Sequence, residues 1–323
     1  MKGTHIRAWL VCAVTAVALF AAACGGDDSP EGSEASAKAS VSTITGGELT
    51  VGSDIPFPPF EFRDGDKLTG FDAELTEELA RRMDLRVKWV DTSFDTLFTQ
   101  VAAGRFDMAA AATTITPERK RQVNFTEPYY AAQQALVTNA KRSPGIRSVE
   151  GLSGGDVVAV QKGTTGESWA RDNVPAGVQV RSFPEAPDIY TALEAGAVTA
   201  VMMDEPSAVT ETAKRKALEL VQTIDTEERY GFAVDPRNQA LLKSLNRKLR
   251  EIKRDGTYQR LYARYSDLPP KGSILTARDS PGWTNFPARA SGGSSASRRR
   301  SRAPSRWPAG PRCSCWGWGR SRW

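Results

Sequence analysis

The sequence predicts an α/β protein built as two lobes, each a parallel sheet covered by helices. Three observations predict it. Strand-like and helix-like stretches alternate between residues 46 and 272, as in sheets flanked by helices on both faces. A second such series, 138–229, stands inside the first. The chain should therefore cross between lobes twice, near Leu136–Thr138 and near Tyr230–Phe232. Both ends of the chain lack either period. The expected division is 1–23 as an address segment, 24–45 as a tether, 46–137 with 230–272 as lobe 1, 138–229 as lobe 2, and 273–323 as a basic tail without structure.

Glu48–Ser53 and Arg86–Asp91 read as strands, Phe71–Met83 and Phe94–Ala103 as helices. Phe106–Ala111 is a further strand, followed by a helix at Thr116-Pro117-Glu118-Arg119. Thr116 suits the N-cap and Pro117 the first helical position. Gln134–Thr138 is another apolar strand. The second series runs Val157–Val160, a helix at Gly166–Asp172, Val178–Ser182, helical Ala186–Glu194 and Ala200–Met203. Arg229–Val234 returns as a strand, and the helix Asn238–Lys253 is closed by Gly256.

The N-terminus reads as an export signal. Lys2 and Arg7 precede an apolar run, Ala8 to Ala23, that is short for a membrane span. Ala21-Ala22-Ala23-Cys24 resembles a bacterial lipobox, with Ala21 where Leu is usual. Cleavage would leave Cys24 as a lipidated first residue, held at the outer face of the cytoplasmic membrane. Asp27 to Thr45 is rich in Ser, Ala, Gly and Glu and reads as a flexible tether reaching about 25 Å. After Ser273 come Arg298-Arg299-Arg300, scattered Pro and Cys313-Ser314-Cys315. This composition fits disorder or an out-of-frame stretch, and the two Cys lack further metal ligands nearby.

Composition sets limits on function. The chain has 323 residues, 40% hydrophobic and 25% charged, with a net charge of +5. The positive charge sits in 273–323, with ten Arg and one Asp, whereas 1–45 holds three basic and four acidic residues. Residues 46–272 hold 30 basic and 33 acidic residues, so the globular part is slightly acidic and offers no argument for nucleic-acid binding. The only His is His5, and 46–272 has no Cys, which excludes His-based catalysis, Cys nucleophiles and common zinc sites there. No metal and no cofactor is expected. Glu61 and Glu205 remain as carboxyl groups that could serve as an acid.

The most informative stretch is Ala111-Ala112-Thr113-Thr114-Ile115-Thr116-Pro117-Glu118-Arg119. Its small residues admit close approach to the backbone. Arg119, the Thr114 hydroxyl and backbone donors could form a clamp for a carboxylate, the guanidinium supplying a planar fork. A strand, a turn and a capped helix bearing a solvated Arg fit the same residues.

The order of motifs separates these readings. Leu49-Thr50-Val51-Gly52-Ser53-Asp54 leads into Phe57-Pro58-Pro59-Phe60-Glu61-Phe62, then Gly70-Phe71-Asp72-Ala73-Glu74-Leu75, then the Thr-Pro-Glu-Arg segment. Gln161-Lys162-Gly163-Thr164-Thr165 and Ala200-Val201-Met202-Met203-Asp204 follow. From about Gly46 to Leu268 this series resembles the extracellular solute-binding proteins of family 3, which serve ABC importers of polar amino acids. Ala73 departs from the larger aliphatic residue usual there.

The resemblance implies a type II periplasmic-binding-protein fold, with the ligand in the cleft between lobes joined by a two-strand hinge. It implies a monomer that passes an amino acid to a permease and its ATPase. Matched motif to motif, Asp54 and Phe57 give an acid and an aromatic wall facing the ligand side chain. Phe94 gives the opposing wall. Ala112, Thr114, Arg119 and Thr165 take the α-carboxylate, Asp204 the α-ammonium, and Gln161 touches the side chain. Core packing fits Phe57 and Phe94 as well, and helix capping fits Thr165 and Asp204. Asp54 would favour a side chain that is neutral or cationic, glutamine first, then arginine, histidine or lysine. Two other readings stay open: an enzyme like the cyclohexadienyl dehydratases of the same fold, and a sensor subunit for a membrane receptor.

Overall fold

The computed structural model of the protein describes residues 41–265. The expectations for the export signal, Cys24 and the basic tail lie outside the described residues. In chain order the first elements are β1 (Glu48–Ser53), a hairpin of β2 (Phe62–Asp64) and β3 (Lys67–Thr69), α1 (Phe71–Arg81), β4 (Arg86–Asp91), α2 (Phe94–Ala102), β5 (Met108–Ala109), a 3-10 turn at Arg119–Arg121 and β6 (Asn124–Phe125). Next are β7 (Tyr130–Asn139), β8 (Val157–Gln161), α3 (Thr165–Asn173), β9 (Gln179–Phe183), α4 (Ala186–Ala195), β10 (Ala200–Asp204), α5 (Glu205–Lys214) and β11 (Leu218–Tyr230). The chain closes with β12 (Ala233–Val234), α6 (Gln239–Arg254) and α7 (Thr257–Tyr262).

Two five-stranded sheets result. The first has the order β4-β1-β5-β12-β6, the second β11-β7-β10-β8-β9. Each has a parallel half, β4-β1-β5 and β10-β8-β9, as the alternation predicts. Each is completed by antiparallel strands, so both sheets are mixed. The helices form where the apolar period is strongest. In α2, Phe94, Leu97, Phe98 and Val101 fall on one face and are buried. They pack with Phe106, Ala109 and Val123 into the first core. In the second lobe, Leu136, Val158, Val160, Ala200 and Met202 pack with Ala170 of α3. Along α6, Leu241, Leu245, Leu249 and Ile252 line the buried stripe, and Gly256 ends the run at φ 80°, a left-handed conformation open to glycine.

Four expectations are corrected. The segment after Thr116 is a single turn, not a longer helix. The Thr116 hydroxyl does accept the Arg119 N–H (3.1 Å), as a cap would, but Val123 is buried and β6 starts at Asn124, leaving no room for another turn. The strand expected at Phe106–Ala111 shortens to Met108–Ala109, because the two-residue β12 pairs only there and the chain turns at Ala112. The strand expected at Arg229–Val234 is interrupted: β11 ends at Tyr230 in one sheet and β12 starts at Ala233 in the other. Gly231 and Phe232 carry the chain between them, their N–H groups held by Thr113 O and Thr126 Oγ1.

The fourth correction moves the first crossing. Leu136, Val137 and Thr138 lie inside the second sheet, paired with Met202, Val201 and Ala200. The chain leaves the first sheet after Phe125 and enters the second at Tyr130. The run from Tyr130 to Asn139 holds no breaker and is bordered by β11 almost throughout, so it forms one ten-residue strand. The crossings are thus Thr126–Tyr129 and Gly231–Phe232, flanked by the pairs Tyr130↔Tyr230, Ala131↔Arg229 and Ala132↔Glu228. At the other end the globular part begins slightly before Gly46, since the Ile44 N–H is fixed to Asp107 Oδ1 at 2.8 Å. In β11 half-buried and exposed residues alternate from Gln222 to Glu227, but apart from Ile224 these side chains are polar, so the apolar alternation that marks a strand is missing there.

Candidate functional site

The carboxyl ends of the parallel strands from both sheets meet at one cleft, where ligands of open α/β sheets are held. Asp54 follows β1 and Ala111 follows β5. Across from them, Gln161 ends β8, Thr164 and Thr165 open α3, and Met203 and Asp204 end β10. Phe94 opens α2, and the 3-10 turn delivers Arg119. Phe57 and Glu61 come from the loop after β1, closed by a bridge in which the Phe57 N–H donates to Glu61 O (2.6 Å). These side chains, with Ala112 and Thr114, surround a cavity with about 340 Å³ of unfilled space, part of it open to solvent.

All nine residues expected to touch ligand line this cavity: Asp54, Phe57, Phe94, Ala112, Thr114, Arg119, Gln161, Thr165 and Asp204. Arg119 is buried. Its guanidinium stacks over Phe98 at 4.6 Å and Phe94 at 5.2 Å. Nη1 donates to Thr114 O (2.8 Å) and Nη2 to Gly163 O across the cleft (3.1 Å). Burial lowers its pKa to about 10, opposed by Glu228 and Asp204, so it stays cationic at neutral pH. Thr114 faces Tyr230 as a lone antiparallel bridge, with the flanking bonds made by Ile115 N–H and Gly231 N–H. In that geometry the Thr114 N–H points away from the partner strand, on the side where its carbonyl meets Arg119.

One expectation fails in detail. Ala112 sits at φ 45° and its N–H donates to Asp72 Oδ2 (2.9 Å), which also accepts from the Tyr129 hydroxyl (2.6 Å). The amide is therefore not free to bind a carboxylate, and Ala112 has only its carbonyl to offer. Lys162 forms an ion pair with Asp95 at 2.8 Å and is largely exposed, away from the cavity.

Asp204 is buried at the opposite wall. Gln134 Nε2 donates to its Oδ1 (2.6 Å), and the Tyr230 hydroxyl donates to its Oδ2. Burial and then the neighbouring Glu228 push its pKa up. Asp54 Oδ2 accepts from Gln161 Nε2 across the cleft (2.6 Å), and burial pushes its pKa up to about 7.

The sequence analysis missed several groups. Glu228, on β11 at the hinge, accepts from Thr114 Oγ1 (2.6 Å) and Thr165 Oγ1 (2.9 Å) on Oε2, and from Gln134 Nε2 (3.0 Å) on Oε1. It lies within the polar run Asp225-Thr226-Glu227-Glu228-Arg229, where no signal distinguishes it. Gln134, Tyr230 and Phe98 were likewise read only as strand or helix residues. Glu61, considered only as an acid, lines the cavity with both carboxyl oxygens unpartnered; Glu205 does not line it. A lone acid among Pro58, Pro59, Phe60 and Phe62 was the available signal for Glu61. Among the described residues no group of three or more His, Cys, Asp or Glu side chains is placed to hold a metal ion.

Two α/β lobes with a hinge of paired crossings, closing on a cavity that has a buried cation on one wall and a buried acid on the other, define a bilobal binding protein. The family model for bacterial extracellular solute-binding proteins, family 3, matches residues 49–267, and the chain belongs to that family. A probable histidine-binding protein of Campylobacter jejuni is 32% identical over 219 residues, 67% of this chain and 84% of its own. Among solved structures, an ancestral arginine-binding protein bound to glutamine superposes with a TM-score of 0.65 at 36% identity, covering 69% of this chain and all of the other. The ancestral amino-acid-binding protein AncCDT-1, a precursor of cyclohexadienyl dehydratase, gives 0.63 at 35%, covering 68% and 95%. The fold is the type II periplasmic-binding-protein fold.

Proposed function

We propose that this protein captures a free polar L-amino acid and delivers it to the permease of an ABC importer. The observation that carries this is the pairing of Arg119 on one lobe with Asp204 on the other across a single cavity. An amino acid zwitterion presents a carboxylate and an ammonium a few ångströms apart. Arg119 and the Thr114 N–H suit the carboxylate, the Thr114 and Thr165 hydroxyls joining them only by leaving Glu228, and Asp204 suits the ammonium. Phe57 and Phe94 serve as walls, while Asp54 and Gln161 face the side chain, favouring a neutral amide or a cation over an acid. Two like charges about 4 Å apart cost roughly 4 kcal/mol at an effective dielectric of 20. Similar proteins that bind histidine, glutamine or arginine by name support the class without choosing within it.

On this reading the protein works as a monomer, without cofactor, exported and lipid-anchored through Cys24 on the outer face of the cytoplasmic membrane. A thermal-shift screen of the 20 L-amino acids tests it. A ligand at 100 times its dissociation constant adds about 2.7 kcal/mol to folding stability, and a screen in which none stabilises the protein refutes the proposal.

A second reading, a dehydratase, is favoured by one observation: Glu61 lines the cavity with its pKa pushed well up by burial and then by Asp72 and Asp54, as an acid catalyst requires. Turnover of prephenate or arogenate would establish it, and binding without turnover would exclude it.

A further inference from the structure

We propose that the outer face of α6 is a docking surface for anionic phospholipid headgroups, seating the first lobe on the membrane that carries the anchor. This goes beyond amino-acid capture and rests on the reading that the chain is exported and anchored through Cys24.

Lys243, Arg247, Arg250 and Arg254 are all exposed. They stand four, three and four residues apart on one helix, so at 100° per residue they share a sector of about 60°. The stripe is about 16 Å long at 1.5 Å per residue. On the other face of the helix, Leu241, Leu245, Leu249 and Ile252 are buried.

Partnership sets this stripe apart from an ordinary solvated face. On α1, α3 and α5 the surface cations pair with an acid one turn away: Arg81 and Arg82 with Glu78, Arg171 with Glu167, Lys214 and Arg215 with Glu211. On α6 Arg250 pairs with Glu127, whereas Lys243, Arg247 and Arg254 have no partner among the described residues. The acids on α6 and on the turns at its two ends are taken: Glu251 by Lys248 (2.9 Å), Asp255 by Arg82 (2.7 Å) and Asp235 by Arg237 (2.6 Å). Like charges three and four residues apart repel along a helix. The helix dipole accounts for Arg254 in the last turn, but not for Lys243 near the start or Arg247 in the middle. Anions from outside the chain would offset the repulsion along the whole stripe, and guanidinium forks match phosphate oxygens.

The charge of the globular part is also uneven. The helix Gln239–Arg254 holds six Lys or Arg and one Glu, while the rest of 46–272 holds 24 basic and 32 acidic residues. An anionic surface therefore attracts this helix and repels most of the remainder, which orients the lobe. The entry point of the chain favours the same side. Asn238, the N-cap of α6, accepts from the Leu241 N–H (3.0 Å) and donates Nδ2 to Ser42 O (2.8 Å). The chain thus enters the fold beside the start of the stripe. Eighteen residues, Cys24 to Val41, separate that point from the anchor. A Ser- and Gly-rich chain of that length spans about 23 Å on average. No residue of α6 lines the ligand cavity, so contact along the stripe leaves those side chains uncovered.

Chemical footprinting tests this on the exported protein, purified as the cell processes it. The protein is mixed with excess vesicles of equimolar phosphatidylglycerol and phosphatidylcholine, or of phosphatidylcholine alone. Acetylation of Lys243 and dicarbonyl modification of Arg247, Arg250 and Arg254 are read by mass spectrometry. Each Lys or Arg near an anionic surface adds about fivefold in affinity. Modification of the stripe should therefore slow at least fivefold on the anionic vesicles, while Lys141, exposed on the second lobe, changes less than twofold. The protection should vanish in about 1 M salt, where charges are screened beyond about 3 Å. With Lys243→Gln, Arg247→Gln and Arg254→Gln combined, Arg250 should lose its protection and amino-acid affinity should stay within twofold. The readout is residue by residue, so adhesion of the Arg-rich segment 273–323 does not count toward it. Equal rates on both vesicles, protection shared evenly with Lys141, or protection of Arg250 that survives the triple substitution would each overturn the inference. Protection on the cell's own membranes but not on protein-free vesicles would overturn it too, in favour of an acidic protein face. The mass of the N-terminal peptide reports lipidation separately, so a chain without acyl groups refutes the anchor at Cys24 and not this surface.

Discussion

The two ends of the cavity are built on opposite plans. Around Arg119 and Asp204, protein groups already bind one another: Arg119 holds two carbonyls, Asp204 takes Gln134 and Tyr230, and Glu228 gathers Thr114, Thr165 and Gln134. At Glu61 the carboxyl meets no partner. The first plan fixes charged groups in place, since each is held by hydrogen bonds from more than one element. The second leaves an acceptor whose demand only something from outside the chain can meet. A rigid end suits the part shared by every amino acid, and an unsatisfied end suits the part that differs.

The largest expected effect comes from breaking the rigid end. Arg119→Ala and Asp204→Ala should each weaken amino-acid binding by about 2–5 kcal/mol, roughly 30- to several-thousand-fold, because each leaves a buried charge of the ligand without its counterpart. The loss should be alike for every amino acid that binds. Calorimetry finding either variant within threefold of wild type would remove that residue from the site.

A smaller effect sharpens the contrast through pH. The free protein holds Asp54 near pKa 7, and Glu61 is raised as well, with Asp72, Asp91, Asp95 and Glu185 as the like-charged neighbours. A cation bound at that end lowers these values, so binding releases protons. Arginine affinity should rise about tenfold from pH 6 to pH 8 for one proton released, since one pKa unit is about 1.4 kcal/mol. Titrations in two buffers of different ionisation heat count the protons. Arginine binding that is flat across this range would argue that the carboxyls do not meet the side chain.

Stability of the unliganded protein should follow the opposite course. Asp54 and Asp72 titrate near 7 when folded, both because of burial, against about 4 in an unfolded chain. The native state therefore carries more protons between these values. Their contribution is fully present below about pH 4 and is lost as pH rises through about 7. Melting curves at pH 5 and pH 7.5 on Asp54→Asn should lie closer together than those of wild type, because one titrating group is gone. An unchanged gap would show that Asp54 does not titrate in this window.

The smallest effect is expected from removing the basic segment 273–323. Among the described residues every side chain lining the cavity falls between Asp54 and Asp204, and the hinge partners end at Phe232. Removing 273–323 should change affinity less than twofold by calorimetry. A larger loss would mean that the basic tail takes part in binding.

By itself the sequence determined the elements whose periodicity is local and strong. The buried faces of α2 and α6 and the strands β1, β4 and β8–β10 follow from residues within one or two turns of each other, whereas α3 starts one residue earlier than expected and is capped by Thr164, not Thr165. The family resemblance carried by the order of motifs also implied that Asp54, Arg119, Gln161 and Asp204 share one cleft, and all four line the cavity. Packing decided what no local window contains. Glu228 meets Thr114 from 114 residues away and Thr165 from 63. The Ala112 amide is claimed by Asp72, forty residues earlier in the chain. Glu61 looks like any acid in a loop until the surrounding chain buries it and supplies no donor. Hydrogen-bond partnership and desolvation are properties of the assembled interior, so only the tertiary structure distinguishes the acid that has partners from the acid that has none.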